Sequence, residues 1–97
     1  MPVLMMMEWE GVTKEQYDAV RKDVNWEGNR PKGGNFHVAG LSEKGLHVAD
    51  IWDSAGDFQK FVETRLMPGV QKAGIKGEPK TTIVPVHATY TPAYKPA

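Results

Sequence analysis

The sequence contains no cysteine and has no excess of charge of either sign. The absence of cysteine among its 97 residues excludes disulfide bonds and thiolate metal sites. This composition fits a reducing compartment, and we expect a cytoplasmic location. Twelve basic residues balance twelve acidic ones, and no block of lysine or arginine is present. We therefore expect neither a nucleic acid nor an anionic membrane surface as a partner.

Long apolar runs and several catalytic motifs are also missing. No apolar run approaches the roughly 20 residues that a membrane span needs. The apolar run at residues 3–7 has no basic lead and no small-residue cleavage site, so we interpret it as a strand and not as a signal peptide. Neither Ser42 nor Ser54 lies in Gly-x-Ser-x-Gly, and the glycines do not form a phosphate loop. The three histidines lack the short spacings of a zinc site, and we expect no metal.

The pattern present between residues 35 and 52 predicts a β-hairpin. β-Branched, aromatic and other apolar residues alternate along two segments, and Ser42-Glu43-Lys44-Gly45 between them suits a type I turn. The predicted register opposes three pairs, namely Leu41 with Leu46, His37 with Asp50, and Asn35 with Trp52. His37, Asp50 and Trp52 then share one face of the sheet, while His47 points to the other.

Capping residues and apolar stripes predict two helices. Thr13 and Gln16 have the spacing of a capping box, and the first helix is expected to end near Asn25. Ser54 is expected to cap the second helix, which bends or restarts at Pro68. Each helix has one apolar stripe, formed by Tyr17, Val20 and Val24 in the first and by Phe58, Phe61, Val62 and Leu66 in the second.

Three further segments complete the predicted chain. Residues 3–9 are almost continuously apolar, which indicates a central strand buried on both faces. Residues 25–34 form a loop whose single large apolar residue, Trp26, is either a lid over a pocket or a plug in the core. Residues 81–89 form the last strand, and Pro85 makes it an edge strand or a bulged one. We predict a single domain over residues 1–97, with an extended proline-rich tail at residues 89–97.

The order of these elements predicts an α+β fold with two βαβ halves. Right-handed crossovers give a four-stranded antiparallel sheet in the order 4-1-3-2, with both helices on one face. The other face has no cover within the chain, although methionine, leucine, alanine and tryptophan are expected among its positions. A second copy could cover it, sheet against sheet, so we predict a homodimer.

Several segments together resemble the dimeric α+β barrel superfamily, which has a ferredoxin-like fold. The resemblance is carried by the run from Gly45 to Ser54, the Phe58 and Phe61 pair, Arg65-Leu66 with Pro68, and the closing Pro85-Val86-His87. Within the superfamily, the sequence is most similar to small uncharacterised proteins near the antibiotic-biosynthesis-monooxygenase-like group. The resemblance implies a pocket between the sheet and the helices or loops of each subunit, and a dimer that closes a barrel from two sheets.

The sequence departs from two enzyme groups of that superfamily. Haem-degrading members bind iron through a histidine on or near the second helix, and quinol-type monooxygenases also tend to have a histidine there. No histidine occurs from Phe58 to Ala73. The resemblance then implies an enzyme without haem or another cofactor, either a monooxygenase or an isomerase, that acts on a small and partly aromatic molecule. The alternative is a non-catalytic small-ligand binding or accessory protein of the same fold.

His37 and Asp50 are the candidate catalytic residues. A carboxylate beside a histidine orients the imidazole and makes it more basic, as a general base requires. The alternative is a purely structural cross-strand pair. An opening from this pair into a substrate-sized cavity would favour catalysis, whereas a buried pair whose hydrogen bonds are satisfied would favour binding or a scaffold.

Four other residues are candidates for binding a small molecule. Trp52 could line an aromatic pocket, or it could pack at a dimer interface. Arg65 could neutralise a carboxylate, or it could form a salt bridge. Tyr17 could donate a phenolic hydrogen bond into a pocket, and Trp26 could cover it, although both residue types usually serve as packing.

Overall fold

The structure is a computed structural model that describes residues 1–92. Its elements are β1 Val3–Glu10, α1 Lys14–Val24, β2 Gly34–Ser42, β3 Gly45–Trp52, α2 Ala55–Phe61, a π-helical segment Val62–Leu66, α3 Met67–Lys72 and β4 Lys80–Pro85. The strands pair antiparallel in the order β2-β3-β1-β4, which is the predicted order 4-1-3-2 read from the other edge. The predicted α+β, ferredoxin-like architecture is therefore confirmed.

The central strand β1 is buried on one face only. Met5, Met7 and Trp9 point to the helices and are buried, whereas Met6 between them is 42% exposed. The central position of β1 is confirmed, but the prediction of burial on both faces is wrong for the isolated chain. The reason is that all helices of residues 1–92 contribute to the core on one side of the sheet.

The β2–β3 hairpin has the predicted register except at its open end. Leu41 pairs with Leu46, and His37 pairs with Asp50. A bulge between Gly34 and Phe36 then places Gly34 opposite Trp52, so the predicted pairing of Asn35 with Trp52 is wrong. A bulge adds one residue to one strand. Glycine suits this position because a Cβ at Gly34 would lie 3.3 Å from the Trp52 ring.

Local hydrogen bonds form both predicted helix starts. Thr13 Oγ1 accepts from the Gln16 N–H, and the Gln16 side chain accepts from the Thr13 N–H, which completes the capping box. Asn25 ends α1 in the left-handed conformation, with φ of 56°, which asparagine tolerates better than most residues. Ser54 Oγ accepts from the Asp57 N–H and caps α2.

The second helical region changes its hydrogen-bond pattern before Pro68. The N–H of Met67 donates to the carbonyl of Val62, five residues back, and α3 starts at Met67. Proline has no N–H with which to continue the ladder. The predicted bend or restart is therefore present, in the form of a π-helical segment. The close approach of α3 to α1 requires Gly69, since a Cβ there would lie 2.8 Å from a methyl group of Val24.

Strand β4 is shorter than predicted. It ends at Pro85, not at Thr89, because proline cannot donate to the ladder. It pairs only with β1, so the prediction of an edge strand is confirmed. Beyond it, the Val86 N–H donates to the Pro2 carbonyl, and residues 87–92 are in neither strand nor helix. The rest of the predicted tail, residues 93–97, lies outside the described residues.

The face of the sheet opposite the helices is apolar and exposed. Its side chains include those of Met6, Phe36, Val38 and Val84, each 36–46% exposed. Both tryptophans of the sheet, Trp9 and Trp52, point to the helices and are buried, so the expectation of tryptophan on the open face is wrong. No helix within residues 1–92 has the length and apolar character to cross a membrane.

Candidate functional site

A cavity of about 530 Å³ lies between the sheet and the helical layer. Small-molecule sites in proteins usually measure roughly 300–1,000 Å³ and have mostly apolar walls with a few polar groups. Here the walls come from β1, β2, β3, the helices and the 25–33 loop. The polar groups at one end are Tyr17, His37 and Asp50, and the large aromatic walls include Trp26 and Trp52.

A chain of hydrogen bonds connects four side chains of this cavity. His37 Nδ1 lies 2.6 Å from Asp50 Oδ1, and Tyr17 Oη lies 2.7 Å from His37 Nε2. The Trp52 indole N–H donates to Asp50 Oδ2 over 3.0 Å. These hydrogen bonds join three elements of the fold, since Tyr17 belongs to α1, His37 to β2, and Asp50 and Trp52 to β3.

The two hydrogen bonds that Asp50 accepts determine which atoms of this hydrogen-bond chain carry the protons. A carboxylate at Asp50 accepts on both oxygens, one bond from Trp52 and one from His37 Nδ1–H. In the neutral imidazole, Nε2 is then an acceptor, and the Tyr17 hydroxyl donates to it. A His–carboxylate pair of this kind fixes the ring orientation and stabilises the imidazolium when a proton is gained.

The side chains of this hydrogen-bond chain differ sharply in burial. The Asp50 side chain is 8% exposed, whereas that of His37 is 30% exposed. No buried side-chain nitrogen or oxygen in the described part of the chain lacks a hydrogen-bond partner. Asp50 is therefore a buried and fully bonded carboxylate, while the imidazole reaches the cavity that it lines.

The Tyr17 hydroxyl stays protonated over a wide pH range. Burial raises the pKa of Tyr17 to about 12, because a phenolate loses its hydration among apolar neighbours. The nearby Arg21 lowers this pKa, and the negative charge of Asp50 raises it further. Tyr17 is thus a hydrogen-bond donor near neutral pH and not a standing base.

Trp26 packs on this polar group from the loop. Its ring meets the His37 ring edge-on with 5.1 Å between centroids, and its centroid is 6.0 Å from that of Tyr17. The Tyr17 and His37 rings are parallel within 6°, at a centroid distance of 6.2 Å. Trp26 is partly buried, packs against the core and also lines the cavity.

Charged residues form the rim of the cavity. Arg21 makes two hydrogen bonds to the Glu27 carboxylate, which lower the pKa of Glu27 and raise that of Arg21. Arg30 donates to the Gly34 carbonyl and to Asn35 Oδ1. The sequence pattern does not single out these residues, because charged residues on a helix end and in a loop usually indicate only a solvated surface.

Arg65 does not belong to the cavity. Its Nη2 donates to the Val24 carbonyl at 2.9 Å and to the Asn29 carbonyl at 2.8 Å, and its guanidinium lies 5.5 Å from the centroid of the Phe61 ring. Arg65 therefore forms no salt bridge within residues 1–92, and it is not a lining residue of the cavity. The reason is that the end of α1 leaves the Val24 carbonyl without a helical partner, and the two hydrogens of Nη2 can serve this carbonyl and that of Asn29 in the following loop.

The structure brings together five of the six predicted residues, namely His37, Asp50, Trp52, Tyr17 and Trp26. The predicted contact between His37 and Asp50 is present. The hydrogen bond from Tyr17 to His37 was not predicted. The only signal for this bond in the sequence was a tyrosine in the first turn of a helix that covers the sheet. Within residues 1–92, no group of three or more His, Asp or Glu side chains is arranged to hold a metal ion.

The chain has the fold of dimeric ferredoxin-like proteins and of antibiotic-biosynthesis monooxygenase-like proteins. One solved structure similar to it is a dimeric ferredoxin-like protein of unknown function from Thermobifida fusca, with a TM-score of 0.59, 11% identity, and coverage of 89% of this chain and 92% of that chain. No protein-family model matches the sequence, and no curated protein matches it.

Two similar structures are of a cofactor-independent oxygenase and of a monooxygenase. SnoaB, a cofactor-independent oxygenase from Streptomyces nogalater, gives a TM-score of 0.62 with 10% identity over 91% of this chain and 94% of that one. The monooxygenase ActVA-Orf6 of Streptomyces coelicolor, in complex with nanaomycin D, gives a TM-score of 0.58 with 16% identity over 95% and 92%. At such identities the likeness shows the fold alone.

Proposed function

We propose that the protein is a cofactor-independent enzyme that removes a proton from a small, partly aromatic molecule, as a monooxygenase or an isomerase. The observation that carries this proposal is the chain Asp50–His37–Tyr17 at one end of a substrate-sized cavity. In this proposal His37 is the base that finally holds the proton, and Asp50 orients it. Trp52 and Trp26 bind the apolar part of the substrate.

The geometry supports catalysis more than a purely structural pair. Asp50 alone meets the expectation for a scaffold, since it is buried and bonded on both oxygens. His37 meets the expectation for a catalyst, since its ring borders the cavity. A base needs both features, because a buried carboxylate stabilises the imidazolium while the imidazole must reach the proton that it takes.

Both reaction types share a first step. Removal of a proton from an acidic C–H or O–H leaves the electron pair on the substrate as a resonance-stabilised anion. An isomerase returns a proton elsewhere on the molecule. In a monooxygenase, the anion supplies the electrons to O₂: a methylene becomes a carbonyl with one oxygen atom, and the second oxygen atom leaves as water with the two hydrogens. No external reductant is needed, which fits a fold shared with a cofactor-independent oxygenase.

Anthrone is a suitable probe of this proposal. It is a flat aromatic ketone whose methylene protons are acidic through the conjugated carbonyl, and its oxidation by O₂ to anthraquinone and water is balanced. We expect the protein to accelerate either oxygen uptake with anthraquinone formation or, without O₂, conversion to the enol anthranol. His37→Ala should abolish the acceleration. A His37→Ala protein with undiminished activity would contradict the proposed base.

The second candidate function is small-ligand binding without catalysis. The apolar walls and the size of the cavity favour ligand binding without catalysis as much as they favour an enzyme. Nanaomycin D, the ligand of the Streptomyces coelicolor structure, is the probe for this case. Binding of nanaomycin D by the wild type and by His37→Ala, with no acceleration of either anthrone reaction, would support a binding protein and oppose the enzyme.

We also propose that the protein is a homodimer in the cytoplasm. The open face of the sheet exposes Phe36 and Val38 on β2 and Met6 and Val84 on β1 and β4, and the strand between them contributes Ala49 and Ile51. Contiguous exposed apolar surface of this kind marks an interface. A second copy is the favoured occupant, because a protein of the same fold from Thermobifida fusca is dimeric. The absence of cysteine supports a reducing location.

A further inference from the structure

We infer that the Tyr17 hydroxyl, and not the His37 ring, is the group that touches the reacting atom, and that Tyr17 passes the proton to His37 in a relay. This inference rests on the proposed function, since a relay requires that a proton be removed from a bound molecule. It adds a catalytic residue and changes the role of His37 from direct contact to final acceptor.

The first argument is that both ring nitrogens of His37 already form hydrogen bonds. Nδ1 of His37 is bonded to Asp50 at 2.6 Å, and Nε2 is bonded to Tyr17 at 2.7 Å. Neutral imidazole has one donor and one acceptor nitrogen, so both are used. A substrate could bond to Nε2 only after displacing Tyr17. The Tyr17 ring is held between α1 and the sheet and packs against Trp26, which opposes such a displacement.

The second argument is that the hydroxyl oxygen of Tyr17 can still accept a hydrogen bond. A hydroxyl has one donor hydrogen and two acceptor lone pairs. Tyr17 uses its hydrogen toward Nε2, and no other side-chain hydrogen bond to Tyr17 is present within the described residues. Its oxygen therefore keeps acceptor capacity, and Tyr17 lines the cavity. A substrate C–H or O–H that enters the cavity would meet an oxygen that is ready to accept a hydrogen.

The step balances in protons and electrons. The bond between the substrate atom and its hydrogen breaks, and the electron pair stays on the substrate. That proton bonds to Tyr17 Oη while the original hydroxyl proton moves to His37 Nε2. Tyr17 is a neutral phenol before and after, and the imidazolium faces the Asp50 carboxylate. The two transfers are coupled, because burial raises the pKa of Tyr17 and disfavours a free phenolate.

The relay is tested by exchange of the anthrone methylene protons for deuterium without O₂, followed by NMR. This experiment measures proton removal alone, in Tyr17→Phe, His37→Gln and the control Tyr90→Phe, whose tyrosine is 89% exposed. We expect Tyr17→Phe and His37→Gln to slow the protein-dependent exchange by roughly 10²-fold, and Tyr90→Phe to leave it unchanged. Tyr17→Phe should still bind nanaomycin D, because its aromatic ring remains in the cavity wall and only the hydroxyl is removed.

The results of this experiment distinguish a failure of the relay from a failure of the proposed function. If His37→Gln loses exchange and Tyr17→Phe retains it, the substrate meets His37 directly, and the relay is wrong while the proposed function stands. If the wild type gives no exchange although nanaomycin D binds, the proposed function fails and the relay fails with it. A third measurement is independent of any substrate: ¹⁵N NMR should find Nδ1 of His37 protonated and Nε2 unprotonated. A resting tautomer with the proton on Nε2 overturns the relay.

Discussion

Asp50 places a carboxylate in the interior of the protein, where an unpaired charge would be costly. Two donors compensate for this cost, the Trp52 indole N–H and His37 Nδ1–H. Both donors approach oxygen atoms that can only accept. These two donors therefore require a carboxylate at position 50, and asparagine, the nearest isostere of aspartate, is not equivalent there.

Asp50→Asn is expected to destabilise the fold. An amide has one acceptor oxygen. When that oxygen keeps the bond to Trp52, the NH₂ group faces His37 Nδ1, and the imidazole must adopt the other tautomer to accept from it. We expect the free energy of unfolding to fall by about 1 kcal/mol, because neutral hydrogen bonds replace stronger bonds to a carboxylate. Urea denaturation measures this change. Asp53→Asn, at an exposed carboxylate that accepts from Asn35, is the matched control and should change stability little.

Tyr17 makes stability depend on alkaline pH. Its pKa is about 12 in the folded protein and 10 as an ordinary phenol, so the unfolded chain loses this proton first as the pH rises. The free energy of unfolding should therefore be unaffected by Tyr17 below about pH 10 and should decrease between about pH 10 and pH 12. Urea denaturation at several pH values tests this slope, which Tyr17→Phe should reduce. An equal slope in both proteins would show that the phenol is not buried.

At the scale of elements, the π-helical segment links the two helical regions. Arg65 of this segment reaches the end of α1 and the loop that follows, where it satisfies the carbonyls of Val24 and Asn29. The same loop carries Trp26, which packs on His37. The segment therefore holds the loop over the cavity, although Arg65 is not itself a lining residue.

Arg65→Lys is expected to loosen this loop. An ammonium group keeps the charge, but it lies at the end of a shorter side chain and does not reach the position from which Arg65 Nη2 donates to both carbonyls. We expect a loss of about 1–2 kcal/mol in unfolding free energy and faster amide hydrogen exchange in residues 25–34. Lys72→Gln is the control, because Lys72 pairs with Asp23 on the surface and should contribute little. Unchanged exchange in the loop would contradict the role given to Arg65.

At the scale of the whole molecule, one face of the sheet has no cover from residues 1–92. The helices bury only the side that contains Met5, Met7 and Trp9. Small domains bury a limited fraction of their surface, so pairing of two copies through the open face would add to the stability of each. The proposed dimer would leave the cavity on the opposite side of each sheet.

Val38→Glu is expected to separate the dimer. Val38 lies on β2 on the open face and is 46% exposed, so the change places a charge in the proposed interface without altering the core of one copy. Sedimentation analysis should give a dimer for the wild type and a folded monomer for the variant. Ala19→Glu, on an exposed position of α1, is the control and should remain dimeric. A wild-type protein that is monomeric at micromolar concentration would contradict the dimer.

The sequence by itself determined the parts that depend on neighbouring residues. Thr13, Gln16 and Ser54 cap helices through bonds that span three residues. The alternation of side chains and the turn at residues 42–45 set the hairpin register, and with it the contact between His37 and Asp50. These features follow from the periods of strand and helix, so a pattern of letters is enough to predict them.

Only the tertiary structure decided the contacts between elements that are distant in the chain. The bond from Tyr17 to His37 depends on where α1 crosses the sheet, and the bonds of Arg65 depend on the π-helical segment. The bulge at Gly34 likewise reflects the space beside Trp52. Each of these positions is set by how whole elements pack, and a side-chain hydrogen bond tolerates an error of only a few tenths of an ångström.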